Sequence, residues 1–323
     1  MSTSSISQPT VTAIVITYNS AEHVAEAVTS LESALDHLGA EILVVDNASA
    51  DDTVDVAGAH LKRGRVIANA DNLGYARAAN VGIRQARGQM TLVMNDDARL
   101  GQEDINRLIA VLSSSDRIAL VGPRIVDANG KPTHSARNTF PGPQEEWQRL
   151  KDIFSGRDKN AYDPDAPPTP VHWLIAACVL GKTSVLRQVG GFNEEFFLYG
   201  EDIDLGRRLM ELGFQSVTVP DAVCVHVGEV STSKTYTADE RMVRQVKGRS
   251  VYYRLWLPRW LRSLVYLRRA LGFRLQPARL KMFGPMIIWD GPSLKNERFP
   301  APLASGPQAS DDVYSAPDTK QDG

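Results

Sequence analysis

Short apolar runs alternate with segments of helical periodicity over residues 11–94. The apolar runs cover Val11–Thr17, 41–45, 65–68 and 89–94, and the helical segments between them cover 21–38, 51–61 and 76–85. Strands that alternate with helices form βαβ units, and these units build parallel sheets. The sequence therefore predicts an α/β fold with a mostly parallel central sheet flanked by helices.

Polar side chains follow three of these four runs, at the point where each strand should end. The clusters are Thr17-Tyr18-Asn19, Asp46-Asn47 and Asn95-Asp96-Asp97. Open parallel sheets bind their ligands beyond the carboxyl ends of the strands. The three clusters therefore predict one ligand cleft at this edge of the sheet.

Two segments contain residue types that bind metal ions. Asp96 and Asp97 follow an apolar strand, and carboxylate oxygens are the ligands that hard divalent cations prefer. Such a cation can neutralise the charge of a departing diphosphate. His226 closes the apolar run 222–225, and neutral imidazole is a common metal ligand. A turn or helix cap at Asp96-Asp97 and a purely structural histidine remain the alternatives.

Another cluster, at residues 190–205, combines glycines, aromatic rings and acids. Its sequence is GGFNEEFFLYGEDIDL. Carboxylates there can accept hydrogen bonds from sugar hydroxyls, and one of them can act as a general base. In the alternative interpretation, Glu201 and Asp202 only complement the dipole of a helix N-terminus. The two interpretations are compatible, because a helix N-terminus at a cleft can hold the side chain of a base in a fixed position.

Six segments, taken in chain order, resemble the inverting family 2 glycosyltransferases, which have the GT-A (nucleotide-diphospho-sugar transferase) fold. The segments are VTAIVITYNS, ILVVDNASADDT, NADNLGYARAANVGI, TLVMNDDARL, GGFNEEFFLYGEDIDLGRRL and HVGEVS. More narrowly, they resemble bacterial dTDP-rhamnosyltransferases that act on polyprenyl-diphosphate-linked sugars. Residues 134–137 with Pro141 are similar to the same group. The resemblance covers residues 10–235.

The resemblance implies a donor site built from residues at the strand ends. Its members are Thr17, Tyr18, Asn19, Asp46, Asn47, Asn72, Gly74, Asn80 and Asp96. Asp46 with Asn47 would hydrogen-bond a pyrimidine base, and Asp96 would add a ribose or metal contact. Asn72, Gly74 and Asn80 would lie against the nucleotide and its diphosphate.

The same resemblance implies the catalytic and acceptor residues. It makes Asp202 the catalytic base, and it makes Asp97 and His226 the ligands of Mg²⁺ or Mn²⁺. It places Trp173, Glu201 and Ser231 among the substrate-binding residues. An inverting transferase needs only one base, because no covalent intermediate forms.

The implied activity is transfer of L-rhamnose from dTDP-L-rhamnose to a lipid-linked or polysaccharide acceptor in cell-envelope glycan synthesis. Two alternatives stay open. One is a family 2 transferase that uses UDP-galactose or UDP-glucose, and the other is a non-catalytic protein that binds a sugar nucleotide. A nucleotidyltransferase is disfavoured, because residues 17–22 lack the glycines and basic residues of its N-terminal loop.

The C-terminal part of the chain is basic and aromatic. From Arg241 to Lys281 no acidic residue occurs, and Trp and Tyr are interleaved with the basic residues. Such a segment predicts contact with an anionic membrane surface. A solvated helical appendage and a contact within a homo-oligomer are the alternatives. The net charge of −2 and the lack of a recognition motif predict no nucleic-acid partner.

The predicted organisation has four parts. They are a disordered N-terminus at 1–10, a GT-A domain at 11–235, a basic membrane-associating helical extension at 236–296 and a disordered tail at 297–323. The N-terminus lacks the features of a signal peptide, and no apolar run reaches the roughly 18–20 residues that cross a bilayer. We therefore expect a cytoplasmic protein, peripheral on the inner face of the plasma membrane. Cys178 and Cys224 lie in apolar runs and are predicted to be buried free thiols.

Overall fold

The computed structural model describes residues 10–133, 135–142, 166–228, 237–263 and 303. Several sequence predictions lie outside the described residues. These are the predictions for the N-terminus at 1–9, for His134 and Ser231, for the extension beyond 263 and for the tail apart from Leu303.

The described strands and helices alternate over residues 11–95, as the sequence pattern predicts, and further elements follow to residue 256. The strands are β1 Val11–Thr17, β2 Ala40–Asp46, β3 Gly64–Ala68, β4 Met90–Asn95, β5 Ala98–Leu100, β6 Ile118–Val126, β7 Ala136–Arg137, β8 Thr169–Val171, β9 Trp173–Leu174, β10 Cys178–Lys182 and β11 Gln215–His226. The helices are α1 Val24–Ala34, α2 Thr53–His60, α3 Tyr75–Gln85, α4 Gln102–Ser113, α5 Thr183–Gln188, α6 Glu201–Glu211 and α7 Ala238–Trp256.

The central sheet has the order β3-β2-β1-β4-β10-β6-β11-β5 within the described residues, and β8 also pairs with β11. Strands β3, β2, β1 and β4 are parallel to one another, as are β6 and β11. Strand β10 runs antiparallel between β4 and β6. The predicted α/β class is confirmed, and the antiparallel β10 is a feature that the sequence pattern did not predict.

Burial on both faces explains the continuous apolar run of β1. All seven residues of this strand are buried. Val11, Ala13 and Val15 pack in the core beneath α1, whereas Ile14 and Ile16 pack in the core on the α3 side. A parallel strand covered by helices on both faces shows no polar alternation. The strand is therefore fixed in position, and so is the polar cluster that follows it.

A third core joins α6 and α7. Its buried members are Phe140, Trp173, Phe196, Ile203, Tyr252, Tyr253, Leu255 and Trp256. The sequence assigned residues 236–296 to an appended extension, but α7 shares this core with the helix that carries Asp202. Helix α7 is therefore part of the folded body. No helix within the described ranges is both long and apolar enough to cross a membrane.

A buried ion pair connects α6 to its surroundings. Arg208 Nε donates to Asp204 Oδ2 at 2.7 Å, and neither side chain is exposed to solvent. The same guanidinium donates to the carbonyls of Val189 and Gly191 at 2.6 and 2.8 Å. The Trp256 indole N–H donates to Asp204 Oδ1 at 2.7 Å. This network fixes α6 between α7 and the loop after α5. Both cysteines are buried free thiols, as predicted.

Candidate active site

The ends of β1 and β2 meet at the predicted edge of the sheet. Thr17 pairs in register with Asp46, and its hydroxyl donates to Asp46 Oδ1 at 2.9 Å. The backbone and side chain of Ser49 also donate to the Asp46 carboxylate. Asp46 is therefore a buried carboxylate that organises the turn after β2, and its contact with a pyrimidine base remains a prediction.

Asn47 ties this turn to the loop before α3. Its Nδ2 donates to the carbonyl of Gly74 at 3.3 Å, and its Oδ1 accepts from Asn69 Nδ2 at 3.1 Å. The backbone N–H of Asn47 donates to the Thr17 carbonyl at 2.9 Å. The three loops that line this edge are therefore hydrogen-bonded to one another.

The loop after β1 bridges two of the polar clusters. The backbone N–H of Tyr18 donates to Asp96 Oδ2 at 3.4 Å. Asn19 has a positive φ of 50°, and its Oδ1 accepts from the Ala50 N–H at 2.8 Å. The structure therefore brings Tyr18 and Asn19 beside Asp96 and beside the turn after β2, as the sequence predicted.

Gly74 is required by a contact within the protein. It has a φ of 79°, and a Cβ at this position would overlap the backbone of Phe197. The N–H of Tyr75 donates to the Phe197 carbonyl at 2.8 Å, and Asn72 Oδ1 accepts from the Gly74 N–H at 3.0 Å. The close approach that Gly74 allows is therefore to the loop before α6. A contact with the diphosphate remains a prediction.

Asn80 is a structural residue in the folded chain. It is fully buried, its Nδ2 donates to the Phe192 carbonyl at 2.7 Å, and its Oδ1 accepts from the Phe192 N–H at 2.9 Å. The second Nδ2 hydrogen bond goes to Glu194 at 3.1 Å. These hydrogen bonds hold Asn80 against the loop after α5, and its contact with the nucleotide remains a prediction.

Asp97 and His226 are brought together by the pairing of β5 with β11. His226 pairs in register with Ala98, and the Val227 N–H donates to the Asp97 carbonyl at 3.0 Å. His226 Nε2 lies 3.0 Å from Asp97 Oδ1 and 3.2 Å from Asn95 Nδ2. Two residues far apart in the sequence therefore present a nitrogen and an oxygen side by side.

The Asp97–His226 pair has the spacing of two neighbouring ligands on one cation. In an octahedral site with bonds of about 2.1 Å, adjacent ligand atoms lie about 3.0 Å apart. Asp97 Oδ1 is buried, and apart from its contact with the His226 ring it accepts no hydrogen bond from the described residues. Those residues contain no group of three or more His, Cys, Asp or Glu side chains able to hold a metal ion. A cation on this pair would take its other ligands from water or substrate.

The second carboxylate of the turn adds negative charge beside this pair. Burial and then the charge of Asp97 raise the pKa of Asp96 to about 7. Adjacent carboxylates resist simultaneous ionisation, and a bound cation relieves that repulsion. The electrostatics of the turn therefore fit a divalent cation.

Asp202 lies in the first turn of α6, which begins after Gly200 with a φ of 100°. Burial raises the pKa of Asp202 above its usual range, while hydrogen bonds from the N–H groups of Ile203 and Ala176 and the charge of Arg249 oppose the rise. The Ile203 N–H lies 2.8 Å from Asp202 Oδ1. The carboxyl is half-buried and fixed in orientation, as a general base should be.

Glu201 differs from its neighbour in environment. It is 6% exposed, and its Oε2 has no hydrogen-bond partner among the described residues. Burial and then the charge of Asp202 raise the pKa of Glu201 well above its usual range. Of two adjacent carboxyls, the one with the higher pKa holds a proton while the other is free to accept one. This difference favours Asp202 over Glu201 as the base.

The backbone of Ala176 and Ala177 joins the two halves of the site. The Ala176 N–H hydrogen-bonds Asp202, and the Tyr75 hydroxyl donates to the Ala176 carbonyl at 2.5 Å. The Asn95 N–H donates to the Ala177 carbonyl at 3.0 Å. Asp202 and the turn that contains Asp97 are therefore attached to two consecutive residues of one segment.

Tyr75 lies near carboxyl groups from both halves of the site. Burial raises its pKa well above 10, and the charges of Glu201, Asp202 and Asp96 raise it further. The phenol of Tyr75 therefore interacts electrostatically with acids from both halves of the site. The segment NLGYARAANVGI contains Tyr75, so its position next to Gly74 was a signal that sequence reasoning overlooked.

Trp173 lies in the third core. It is 7% exposed, and its indole N–H donates to the carbonyl of Thr139 at 3.0 Å. Its Cα and Cβ pack against Gly206. The ring packs against protein in the third core, and the substrate contact that the sequence assigned to Trp173 remains a prediction.

Open α/β sheets bind their ligands beyond the carboxyl ends of their parallel strands. The fold and the polar side chains at this edge place the chain among α/β proteins with a ligand site there. Residues 12–190 match the family model "Glycosyl transferase family 2", so the chain belongs to this family and is a glycosyltransferase.

Two relatives place the chain within the family. It is 31% identical over 243 residues to an N-acetylglucosaminyl-diphospho-decaprenol L-rhamnosyltransferase of Mycobacterium tuberculosis, an alignment that covers 68% of this chain and 77% of that protein. It is 27% identical over 213 residues to the low-salt glycan biosynthesis hexosyltransferase Agl10 of Haloferax volcanii, with 60% of each chain covered.

Solved structures agree with the GT-A fold. The mannosyltransferase PcManGT of Pyrobaculum calidifontis, in complex with GDP-Man and Mn²⁺, superposes with a TM-score of 0.52 at 20% identity, covering 75% of this chain and 62% of that chain. GalNAc-T7 with UDP, GalNAc and Mn²⁺ gives a TM-score of 0.52 at 17% identity, covering 68% and 43%. The chain thus spans less than two thirds of either protein.

Proposed function

We propose that the protein is an inverting, metal-assisted transferase that moves L-rhamnose from dTDP-L-rhamnose to a lipid-linked diphospho-sugar during cell-envelope glycan synthesis. The observation that carries this proposal is the attachment of Asp202 and of the Asp97 turn to the same segment, Ala176–Ala177. The sugar and the acceptor class rest on the relative of Mycobacterium tuberculosis, whose name states both.

In the proposed mechanism, Asp202 accepts the proton of an acceptor hydroxyl while the hydroxyl oxygen attacks the anomeric carbon of the donor. The bond from that carbon to the nucleoside diphosphate breaks on the opposite face, so the configuration inverts. Ionised Asp202 is the form that acts, and the N–H groups of Ile203 and Ala176 hold its oxygens in place. Glu201 remains protonated beside it.

Asp97 and His226 are the residues that would hold Mg²⁺ or Mn²⁺. When bound, the cation would stabilise the negative charge of the leaving diphosphate. The buried Oδ1 of Asp97, 3.0 Å from His226 Nε2, supports this assignment. The complexes of GalNAc-T7 and PcManGT, which contain Mn²⁺ beside UDP or GDP-Man, support a divalent cation in this fold.

Thermal unfolding with donor and metal tests this function. With dTDP-L-rhamnose and Mn²⁺ at about a hundredfold excess over Kd, the expected stabilisation is about 2.7 kcal/mol, which raises the Tm by on the order of 5 °C. We expect Asp97→Ala to remove the metal-dependent part of this rise, because the cation loses a carboxylate ligand. Differential scanning calorimetry measures both.

A panel of donors separates the proposal from its alternatives. A larger Tm rise and faster nucleoside diphosphate release with UDP-galactose or UDP-glucose would replace rhamnose as the donor sugar. Stabilisation by donors without any transfer would favour the non-catalytic alternative. Asp116→Ala is the matched control, because this carboxylate is fully exposed and lies outside the site.

We also propose peripheral association with an anionic membrane through the basic segment after α7. Trp260 is 65% exposed in this segment, next to Arg259. Indole rings settle at membrane interfaces, and basic side chains attract anionic head groups. A cytoplasmic enzyme on the inner face of the plasma membrane would meet a lipid-linked acceptor there.

Flotation with vesicles tests the membrane proposal. Burying about 30% of the roughly 200 Å² of a Trp side chain at about 25 cal/mol/Å² is worth about 1.5 kcal/mol. We therefore expect Trp260→Ala to lower the affinity for phosphatidylglycerol vesicles by about tenfold. Leu212→Ala, at another exposed apolar residue, is the control and should change nothing. Equal flotation of Trp260→Ala and the unaltered protein would rule out this contact.

A further inference from the structure

Helix α7 is held tightly against the segment that leads into α6. A Cβ at Gly248 would overlap the carbonyl of Tyr199, so the two backbones are in direct contact there. Arg254 forms an ion pair with Glu195, and the Trp256 indole donates to Asp204 at 2.7 Å. The helix therefore has a fixed position over residues 195–204.

This position brings two arginines of α7 to the approach of the candidate base. Arg244 and Arg249 lie on either side of Gly248 in the sequence, and both are half-buried. The Arg244 guanidinium lies 5.0 Å from the centre of the Phe197 ring. The positive charge of Arg249 adds to the backbone hydrogen bonds that oppose the burial-driven rise in the pKa of Asp202. Both cations are thus adjacent to the segment that begins α6.

The rest of the cleft repels anions. Asp97 and Asp202 are carboxylates in this cleft, and the Asp97–His226 pair is the place where a cation would meet the donor diphosphate. A diphosphate on the acceptor would need a separate source of positive charge. Guanidinium groups bind phosphate oxygens through paired, charge-assisted hydrogen bonds. The donor diphosphate belongs with the Asp97–His226 pair, and the arginines of α7 are the cations beside the base, where the acceptor hydroxyl must lie.

We propose that Arg249, together with Arg244, forms a subsite for the diphosphate of the acceptor and thereby sets the acceptor hydroxyl against Asp202. The proposal rests on the proposed transferase function and names the acceptor chemistry of that site. It makes α7 a determinant of acceptor specificity. An acceptor without the diphosphate should lose the binding energy that this helix provides.

Steady-state kinetics of Arg249→Gln at pH 8 tests the subsite. The two acceptors are a short-chain alkyl diphospho-N-acetylglucosamine and the neutral alkyl glycoside of the same sugar. Loss of a charge-assisted hydrogen bond should raise the KM for the diphospho-acceptor by about 10- to 100-fold. The KM for the neutral glycoside should not change. Equal KM changes for the two acceptors would overturn the proposal.

The pH profile gives a second readout. The groups that interact with Asp202 are Glu201 on the same helix, Tyr75 on α3 and Arg249 on α7. Arg249 lowers the pKa of Asp202, so its removal raises that pKa. Because the ionised carboxylate is the active form, the acidic limb of kcat/KM should move to higher pH in Arg249→Gln. If the acidic limb of kcat/KM stays at the same pH in Arg249→Gln, Arg249 does not act on Asp202, and the proposal is contradicted.

Controls distinguish the subsite from a general loss of structure or charge. Lys247→Gln removes a positive charge from an exposed position of the same helix and should leave both KM values unchanged. Arg249→Lys keeps the charge but loses the paired hydrogen bonds, so its KM should be intermediate. An Arg249→Gln effect that Lys247→Gln reproduces would count against a specific subsite.

Calorimetry with an alkyl pyrophosphate keeps the test independent of turnover. Arg249→Gln should weaken binding of this probe by about tenfold or more, while binding of nucleoside diphosphate with Mn²⁺ stays the same. If the unaltered protein transfers no sugar from any nucleotide sugar, the proposed function fails, and the probe still decides on the subsite. Equal affinity of both proteins for the probe would overturn it.

Discussion

Replacing Asp202 by Asn should lower kcat by about a hundredfold to ten-thousandfold, the range over which a positioned general base accelerates a reaction. Asn keeps the shape of the side chain and its contact with the Ile203 N–H, but it cannot accept a proton at neutral pH. Binding of dTDP-L-rhamnose and Mn²⁺ should stay the same, because the proposed donor contacts lie at the strand ends. Single-turnover kinetics and donor titration measure the two quantities separately.

The neighbouring carboxyl provides the matched comparison for this variant. The pKa of Glu201 is raised by burial and by the charge of Asp202, so the side chain is already protonated at neutral pH. Glu201→Gln closely imitates that protonated form, and its kcat should fall far less than the kcat of Asp202→Asn. A near-normal kcat for Asp202→Asn, or the reverse order of the two variants, would remove Asp202 from the role of base.

The second large effect concerns stability. Asp204→Asn should lower the free energy of unfolding by about 3–5 kcal/mol, because it leaves the guanidinium of Arg208 buried without its counter-charge. Both side chains are fully inaccessible to solvent, and Asp204 also accepts from the Trp256 indole. Chemical denaturation of the variant, with the Tm as a second readout, measures the loss.

The same helix contains a control with identical spacing. Arg207 and Glu211 also form an i,i+4 pair, at 3.0 Å, but both are about a third exposed. Glu211→Gln should cost about 0–1 kcal/mol, as exposed pairs do. Removing both buried partners, in Asp204→Asn with Arg208→Met, should recover part of the loss. Equal costs at Asp204 and Glu211 would contradict the account of the buried network.

The parallel half of the fold could be predicted because strands that are buried on both faces have continuous apolar sequences. Strand β1 has no polar alternation, and its polar cluster begins where burial ends. Strand β10 could not be assigned a direction in the same way. The direction of β10 depends on the path that the chain takes between the end of β6 and the start of β10. The residues of β10 themselves do not indicate that path.

The positions of site residues that belong to a sequence motif could be predicted. The roles of residues that depend on burial were harder to predict. Asp97 and His226 follow or close apolar strands, and Asp202 lies in the first turn of a helix that begins after Gly200. Asn80 lies four residues after Ala76 and three residues before Ile83, and both of these neighbours on its helical face are buried. This spacing indicates that Asn80 is buried. The family motif to which Asn80 belongs instead predicts a place in the donor site.

Aromatic and basic residues were the hardest to assign from sequence. The sequence alone does not distinguish a Trp that stacks on a sugar from a Trp in a core. For Trp173, the hydrogen bond to the Thr139 carbonyl and the burial of the ring show that it lies in the core. Arg249 lies 47 residues after Asp202 in the numbering of the chain. Its effect on that carboxyl depends on the third core, which is formed by residues from four separate segments.

Anomalous scattering from Mn²⁺ in crystals grown with a nucleoside diphosphate tests the central claim most directly. The account predicts a single strong peak bound by Asp97 and His226, with the diphosphate on the cation and the Asp202 carboxylate facing the same cleft. A peak bound by other residues, or a nucleotide held in a cavity that Asp202 does not face, would contradict the account.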